Sequence, residues 1–237
     1  MKELYKTSEP KIIEMLSDTR RYDDQIYKDE YFTLTNTVTQ FRDEKSFNTL
    51  ITHVLNNETL LNEILENSYR HHNGFHKIVL CKGALYKIRL HIFMNMPEVE
   101  IPMENIHNHR WNFASQIVKG KMKMEIFKKG LEGDKHYFDY AYKPANGGDN
   151  YEVDLLGLSP LELIEERIFH AGESYYMDCD EMHRIVNFPN EKVVTIVMTG
   201  IPNNKECKLY SKNIFAEERN EVIKYSRNDL IRILESI

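Results

Sequence analysis

Apolar residues recur with two different periods along this chain. From Lys45, the residues Phe47, Leu50, Ile51, Val54 and Leu55 fall three and four apart, and after Asn56-Asn57 the set Leu60, Leu61, Ile64 and Leu65 repeats that spacing. Each set predicts an amphipathic helix with one buried stripe. A shorter helix is predicted over 10–16, and the first seventy residues read mostly as helix. From Lys77 the period becomes two. Lys77-Ile78-Val79-Leu80 predicts a strand and Cys81-Lys82-Gly83-Ala84 a turn. Over 85–94, Tyr86, Ile88, Leu90, Ile92 and Met94 take one face and Lys87, Arg89 and His91 the other. Further strands are predicted over 105–111, 113–118, 121–127, 135–142, 162–169, 174–177, 183–188 and 193–198. Turn signals separate them, among them Lys119-Gly120, Ala145-Asn146-Gly147-Gly148, Ala171-Gly172 and Pro189-Asn190. The tail returns to helix, with Ser226-Arg227-Asn228-Asp229 as a capping start before Leu230, Ile231, Ile233 and Leu234.

Many short strands with no helices between them predict a mainly β fold, an antiparallel barrel or sandwich. The expected organisation is a helical segment over 1–76, a β-barrel over 77–202 and an extension with a helix over 203–237. The chain has 237 residues, enough to bury a core without covalent staples. With 31 Lys+Arg against 37 Asp+Glu, its net charge of −6 argues against a nucleic-acid surface. The longest clean apolar run, 193–198, is far short of a membrane span, and the charged start Met1-Lys2-Glu3 argues against export. Three cysteines, Cys81, Cys179 and Cys207, without C-x-x-C spacing make neither a disulfide framework nor a thiolate zinc site. A reducing, cytoplasmic home is expected.

One constellation carries chemistry. His107-Asn108-His109 places two imidazoles at i and i+2 of a predicted strand, on one face and within reach of one metal ion. Trp111 and Phe113 continue that face, so the histidines are expected to look into an aromatic-lined interior. A third histidine, His183, opens a later strand. Arg110 and Arg184, each one residue past a histidine, should point to the opposite face and be solvated or paired with carboxylates. His71, His72 and His76 read as loop residues, and His170 as a turn neighbour near the mouth of the interior. There is no P-loop, G-x-S-x-G or H-E-x-x-H.

These residues fall in register with two motifs, and the chain resembles the cupin superfamily over about residues 77–202. The first motif is matched by His107, His109, Phe113 at the usual Glu position, and Gly120. The second is matched by Gly172, by Asp178 and Asp180 where Pro and Gly are usual, then by His183 and Asn187. The resemblance implies a cupin-like jelly roll with His107, His109 and His183 as metal ligands. Three imidazoles without a carboxylate are similar to the iron sites of thiol dioxygenases, cysteine dioxygenase in particular. That family also has amino-terminal helices, a basic residue where Lys77 stands, and a strand like that from Glu191 to Pro202. It differs in having His and Tyr where this chain has Val197 and Thr199, and in a cysteine with no counterpart near Phe113 or Ala114. The resemblance implies Fe(II) and O2 acting on a small molecule such as a thiol or an amino-acid-like compound, with Lys77, Trp111, Phe113 and Tyr175 as candidates for contact with it. Zinc, manganese, nickel or copper suit the same donors. Two other classes stand beside this one: a small-molecule binding module without redox chemistry, and a metal-dependent isomerase using His170 or a tyrosine as base. By analogy with other cupins, a homodimer is expected.

Overall fold

Short polar side chains set where the helices begin. The computed structural model describes residues 19–71, 74–94, 104–132, 134–144, 151–214 and 222–237, with Ile13 and Leu16. Its amino-terminal layer holds α1 (Thr19–Lys28), α2 (Glu30–Val38), α3 (Glu44–Leu55) and α4 (Glu58–Asn67). The side chains of Asp29, Asp43 and Asn57 accept the backbone N–H groups of Phe32, Ser46 and Leu60 at 3.0, 2.9 and 3.1 Å, satisfying donors that the first turns leave open. The two stripes read from the sequence are α3 and α4. The helix expected over 10–16 lies outside the described residues except for Ile13 and Leu16.

The remainder is antiparallel sheet. The strands are β1 (Tyr69–Arg70), β2 (His76–Lys82), β3 (Lys87–Phe93), β4 (Ile106–His107), β5 (Trp111–Lys119), β6 (Lys121–Lys129) and β7 (Lys135–Pro144). They continue with β8 (Tyr151–His170), β9 (Ser174–Met177), β10 (Met182–Asn187), β11 (Val193–Pro202), β12 (Cys207–Ser211) and β13 (Ile223–Lys224), before a final helix α5 (Arg227–Glu235). One sheet has the order β13-β1-β2-β3-β11-β5-β9, and the other six strands close in the order β10-β4-β12-β7-β8-β6. This is the mainly β, antiparallel architecture that the sequence predicts. Several strands differ from the expectation: β1 and β13 were not predicted, and the strand expected over 105–111 is only β4. β8 begins at Tyr151 rather than 162, pairing with β7 through its first half and β6 through its second. β12, in the stretch taken as extension, pairs with β4 and β7.

Three apolar clusters make the layers. On the outer face of the seven-stranded sheet, Ile88, Leu90, Ile92, Val194, Ile196 and Met198 pack against Leu34, Phe41, Leu50, Val54, Leu61 and Ile64 of the helical layer and Leu230 and Leu234 of α5. Between the sheets lie Phe93, Phe113, Ile117, Met122, Met124, Ile126, Ile185 and Val197. Within the closed ring, one apolar residue from each strand meets the others: Ile106, Phe127, Tyr137, Leu161, Met182 and Tyr210. A fully buried Leu or Ile contributes about 1.5–3 kcal/mol against exposure, so these layers hold the sheets at fixed spacing. No helix among the described residues is long and apolar enough to cross a membrane.

Candidate metal centre

The three motif histidines reach one point by three routes. His183 lies on β10, and His107, the last residue of β4, is its direct antiparallel partner. Glu104 ties the two chains just beyond, donating its N–H to the Ile185 carbonyl at 3.2 Å and accepting the Ile185 N–H on Oε2 at 3.3 Å. His109 differs from the expectation, because it is not on a strand. The chain leaves β4 at Asn108, whose N–H bonds the Lys208 carbonyl and whose Oδ1 accepts the Lys208 N–H. His109 N–H then donates to the Cys179 carbonyl at 3.0 Å. Strand alternation therefore does not bring the two imidazoles together; a bend after His107, held by β12 and the 178–181 turn, does.

The rings meet closely. Centroids are 4.7 Å apart for His107 and His183, 4.9 Å for His107 and His109, and 5.0 Å for His109 and His183. One ring nitrogen from each residue lies within 4.8 Å of the others. His107 Nδ1 is 2.8 Å from the Asn105 carbonyl, so it carries the proton and leaves Nε2 as the donor atom. His109 Nε2 and His183 Nδ1 are buried and bond no other group of the protein. Burial first, then the neighbouring imidazoles, hold His109 and His183 well below the usual histidine range. Neutral, desolvated, unpartnered ring nitrogens facing one another are what a divalent metal requires, and the donor set fits the ion that the motif implies. Phe113 sits edge-on to His109 at 4.7 Å, filling with apolar surface the place where a carboxylate would add negative charge.

The triad opens on a cavity of about 150 Å³ between the two sheets. Lys77, Trp111, Phe113 and Tyr175, the candidates for substrate contact, all border it. The facing sheet presents side chains in register across its strands, with Lys77 beside His91 beside Thr195 in one row and Arg89 beside Val197 beside Ser115 beside Tyr175 in the next. Arg89 and His91 were missed by the sequence reading. Alternation along β3 assigns them to a polar face, which usually means solvent, yet Arg89 is 5% exposed and both line the cavity. Arg89 lies over the Trp111 ring at 5.2 Å. His91 stacks on Phe75 at 4.7 Å, and its Nε2 has no partner in the protein.

Other expectations sort clearly. His71 is a loop residue as expected, but it lines the cavity and stacks on Phe75, while His76 is a β2 residue bonded to the Tyr225 hydroxyl at 2.8 Å. His72 lies outside the described residues. His170, at the end of β8, is exposed and does not border the cavity, which removes it as a base there. Arg184 is paired with Glu125 at 2.5 Å, and Arg110 Nε donates to the Asn204 carbonyl at 3.2 Å. Cys207 of β12 also borders the cavity; burial pushes its thiol up to about 11, so it stays protonated and is a poor ligand.

No protein-family model matches the chain, and no characterised protein matches it in sequence. Solved structures do resemble it. A cupin superfamily protein from Desulfitobacterium hafniense DCB-2 overlays with a TM-score of 0.31 and 9% identity, over 55% of this chain and 81% of that one. Hydroquinone 1,2-dioxygenase from Sphingomonas sp. TTNP3, solved with 4-hydroxybenzoate, gives 0.35 and 9%, over 61% and 74%. A structure of DMSP lyases gives 0.32 and 9%, with 53% of this chain matching 47% of that one. At such identities and TM-scores the likeness carries no argument about this chain.

Proposed function

We propose that this chain is a mononuclear non-haem iron(II) oxygenase of the cupin type, acting with O2 on a small molecule such as a thiol or an amino-acid-like compound. One observation carries the reading: three imidazoles converge at the end of an aromatic-walled cavity, with His109 Nε2 and His183 Nδ1 buried and unpartnered. His107, His109 and His183 would hold the ion. Iron(II), when bound, supplies the one-electron chemistry that lets O2 react with a closed-shell substrate. The protein's own part is positional. The Asn105 carbonyl orients His107, the Cys179 carbonyl fixes the backbone at His109, and Trp111, Phe113 and Phe93 exclude water from the space beside the triad. Three protein ligands leave coordination positions open, which favours a catalytic site over a closed structural one.

A binding module without redox chemistry is the second reading. It is favoured by Val197, which borders the cavity where thiol dioxygenases have a polar side chain, and which brings no acid or base. Anaerobic loading with Fe(II), elemental analysis and oxygen uptake across a panel of small thiols, amino acids and keto acids decide between the two. Metal at about one per chain with substrate-dependent uptake supports the oxygenase. Metal without uptake across the panel supports the binding module, and absence of bound metal removes the oxygenase.

A further inference from the structure

Among the described residues, Arg89 is a buried charge that the fold leaves unpaired. The residue is 5% exposed, its Nε bonds nothing in the protein, and among the described residues no ion pair to it is present. Burial pulls the guanidinium down to about 10, and only the Tyr69 hydroxyl acts in the other direction. A desolvated cation without a counter-charge is costly to keep, and stacking on Trp111 offsets that cost only in part. The other cations near the cavity are already engaged: Lys77 Nζ donates to the Tyr69 hydroxyl at 2.7 Å, and Lys208 faces Asp139 at 3.7 Å. Among the described residues, Glu104 is the one carboxylate on the cavity wall, and its Oε2 holds the Ile185 N–H.

The space between Arg89 and the triad is small and mostly ring-walled. About 150 Å³ is the volume that takes one benzene-sized molecule. Phe75, Phe93, Trp111, Phe113 and Tyr175 supply aromatic surface around it. One buried guanidinium matches one negative charge, and its planar fork matches a carboxylate. A zwitterion would also have to place an ammonium group against a wall that carries Arg89, His91 and Lys77.

We infer that the molecule taken up here is a compact carboxylic acid with a single negative charge and an apolar body no larger than one six-membered ring, its carboxylate on Arg89 and its body directed at the histidine triad. The inference deepens the oxygenase reading and rests on it for where reaction occurs, but binding of the acid to Arg89 does not itself require metal. It narrows the substrate class from amino-acid-like compounds to non-zwitterionic acids.

Trp111, the only tryptophan in the sequence, lies against Arg89 and reports on the site. Its emission is followed in the full chain, metal-free and Fe(II)-loaded, on titration with benzoate, phenylacetate and 3-mercaptopropionate, and with benzamide, phenylacetamide and cysteine. The acids are expected to give saturable changes with affinities at least tenfold above the amides and cysteine. Arg89→Gln should lose that preference and Arg89→Lys should keep part of it. Amides or cysteine binding as well as the acids, acids that leave Trp111 unchanged, or an Arg89→Gln protein that retains the preference would each overturn the inference. The acid–amide comparison on the unsubstituted chain needs no variant to fold. Acid binding by a protein that takes up no iron would leave the acid site standing and remove the oxygenase reading; iron uptake without acid preference would do the reverse.

Discussion

His107 and His183 are opposite residues of one antiparallel strand pair, with ring centroids 4.7 Å apart. Cross-strand neighbours of this kind are held by the sheet itself, so the two rings approach each other before any ion arrives. Their positions are 76 residues apart in the chain (183 minus 107), and register alone brings them together.

Metal should therefore stabilise the folded chain as well as bind to it. Unfolding separates His183 from the other two ligands, so an ion at a hundredfold its dissociation constant adds about 2.7 kcal/mol to folding. Thermal melts with and without Fe(II) or Zn(II) are expected to differ by several degrees. His107→Ala or His183→Ala should erase both the shift and the bound metal in elemental analysis, and an undiminished shift in the double variant would refute the site.

A chain of hydrogen bonds links the helical layer to His109. Glu30, in the first turn of α2, accepts from Asn112 Nδ2 at 2.8 Å and from the Ile201 N–H at 2.8 Å. Asn112 Oδ1 accepts the Cys179 N–H at 2.9 Å, and the Cys179 carbonyl accepts the His109 N–H. Asn112→Leu removes the middle link and leaves the Cys179 N–H and Glu30 Oε2 without these partners, which costs about 1–3 kcal/mol. Metal affinity should drop ~10–100-fold, the usual cost of removing a group that orients a ligand. Competition with a chromophoric chelator measures this directly, and an unchanged affinity would show that His109 is held without the link.

The helical stripes of α3 and α4 were legible because each presents one apolar side to one partner, the outer face of the seven-stranded sheet. The triad was legible because three imidazoles stand at motif spacings, although the sequence could not show that His109 has left the strand. Arg89 and His91 were illegible for a physical reason. Alternation reports that two faces differ, not what lies on either side, and the polar face of β3 lines the cavity between the sheets instead of the outer surface. The first half of β8 was hidden by Gly157 and Pro160, which normally interrupt strands. Here Gly157 adopts φ +137° beside a register shift, and Pro160 offers its carbonyl to the Gly130 N–H.

Gly120 is a position where the turn chemistry decides stability. It takes φ +79° between β5 and β6, and a Cβ there would lie 2.3 Å from the Lys192 carbonyl oxygen, which is backbone and cannot swing aside. Gly120→Ala adds left-handed strain of about 1–2 kcal/mol to that collision. We expect a loss of at least ~2 kcal/mol, read as a fall of roughly 4–8 °C in Tm for a chain of this size. Gly74, also at positive φ but with open space around its Cβ position, is the control: its alanine variant should pay the conformational cost only.

Acid should weaken the metal-free protein through His91. Burial first, then the positive charges of Arg89, Lys77 and His107, hold its imidazole neutral, with a folded-state pKa well below the ordinary 6.5. The unfolded chain binds a proton there as pH falls through about 6.5 while the folded chain does not, so unfolding takes up protons and stability declines toward pH 5.5. Above about pH 7.5 the contribution is complete. His91→Gln cannot titrate and should flatten the dependence, leaving the part due to His76, His109 and His183, which are lowered in the same direction. Urea midpoints at pH 7.5, 6.5 and 5.5 for both proteins test this. Equal slopes would mean that His91 gains a proton in the fold as readily as in the open chain, and that the wall facing the triad is wetter than its burial implies.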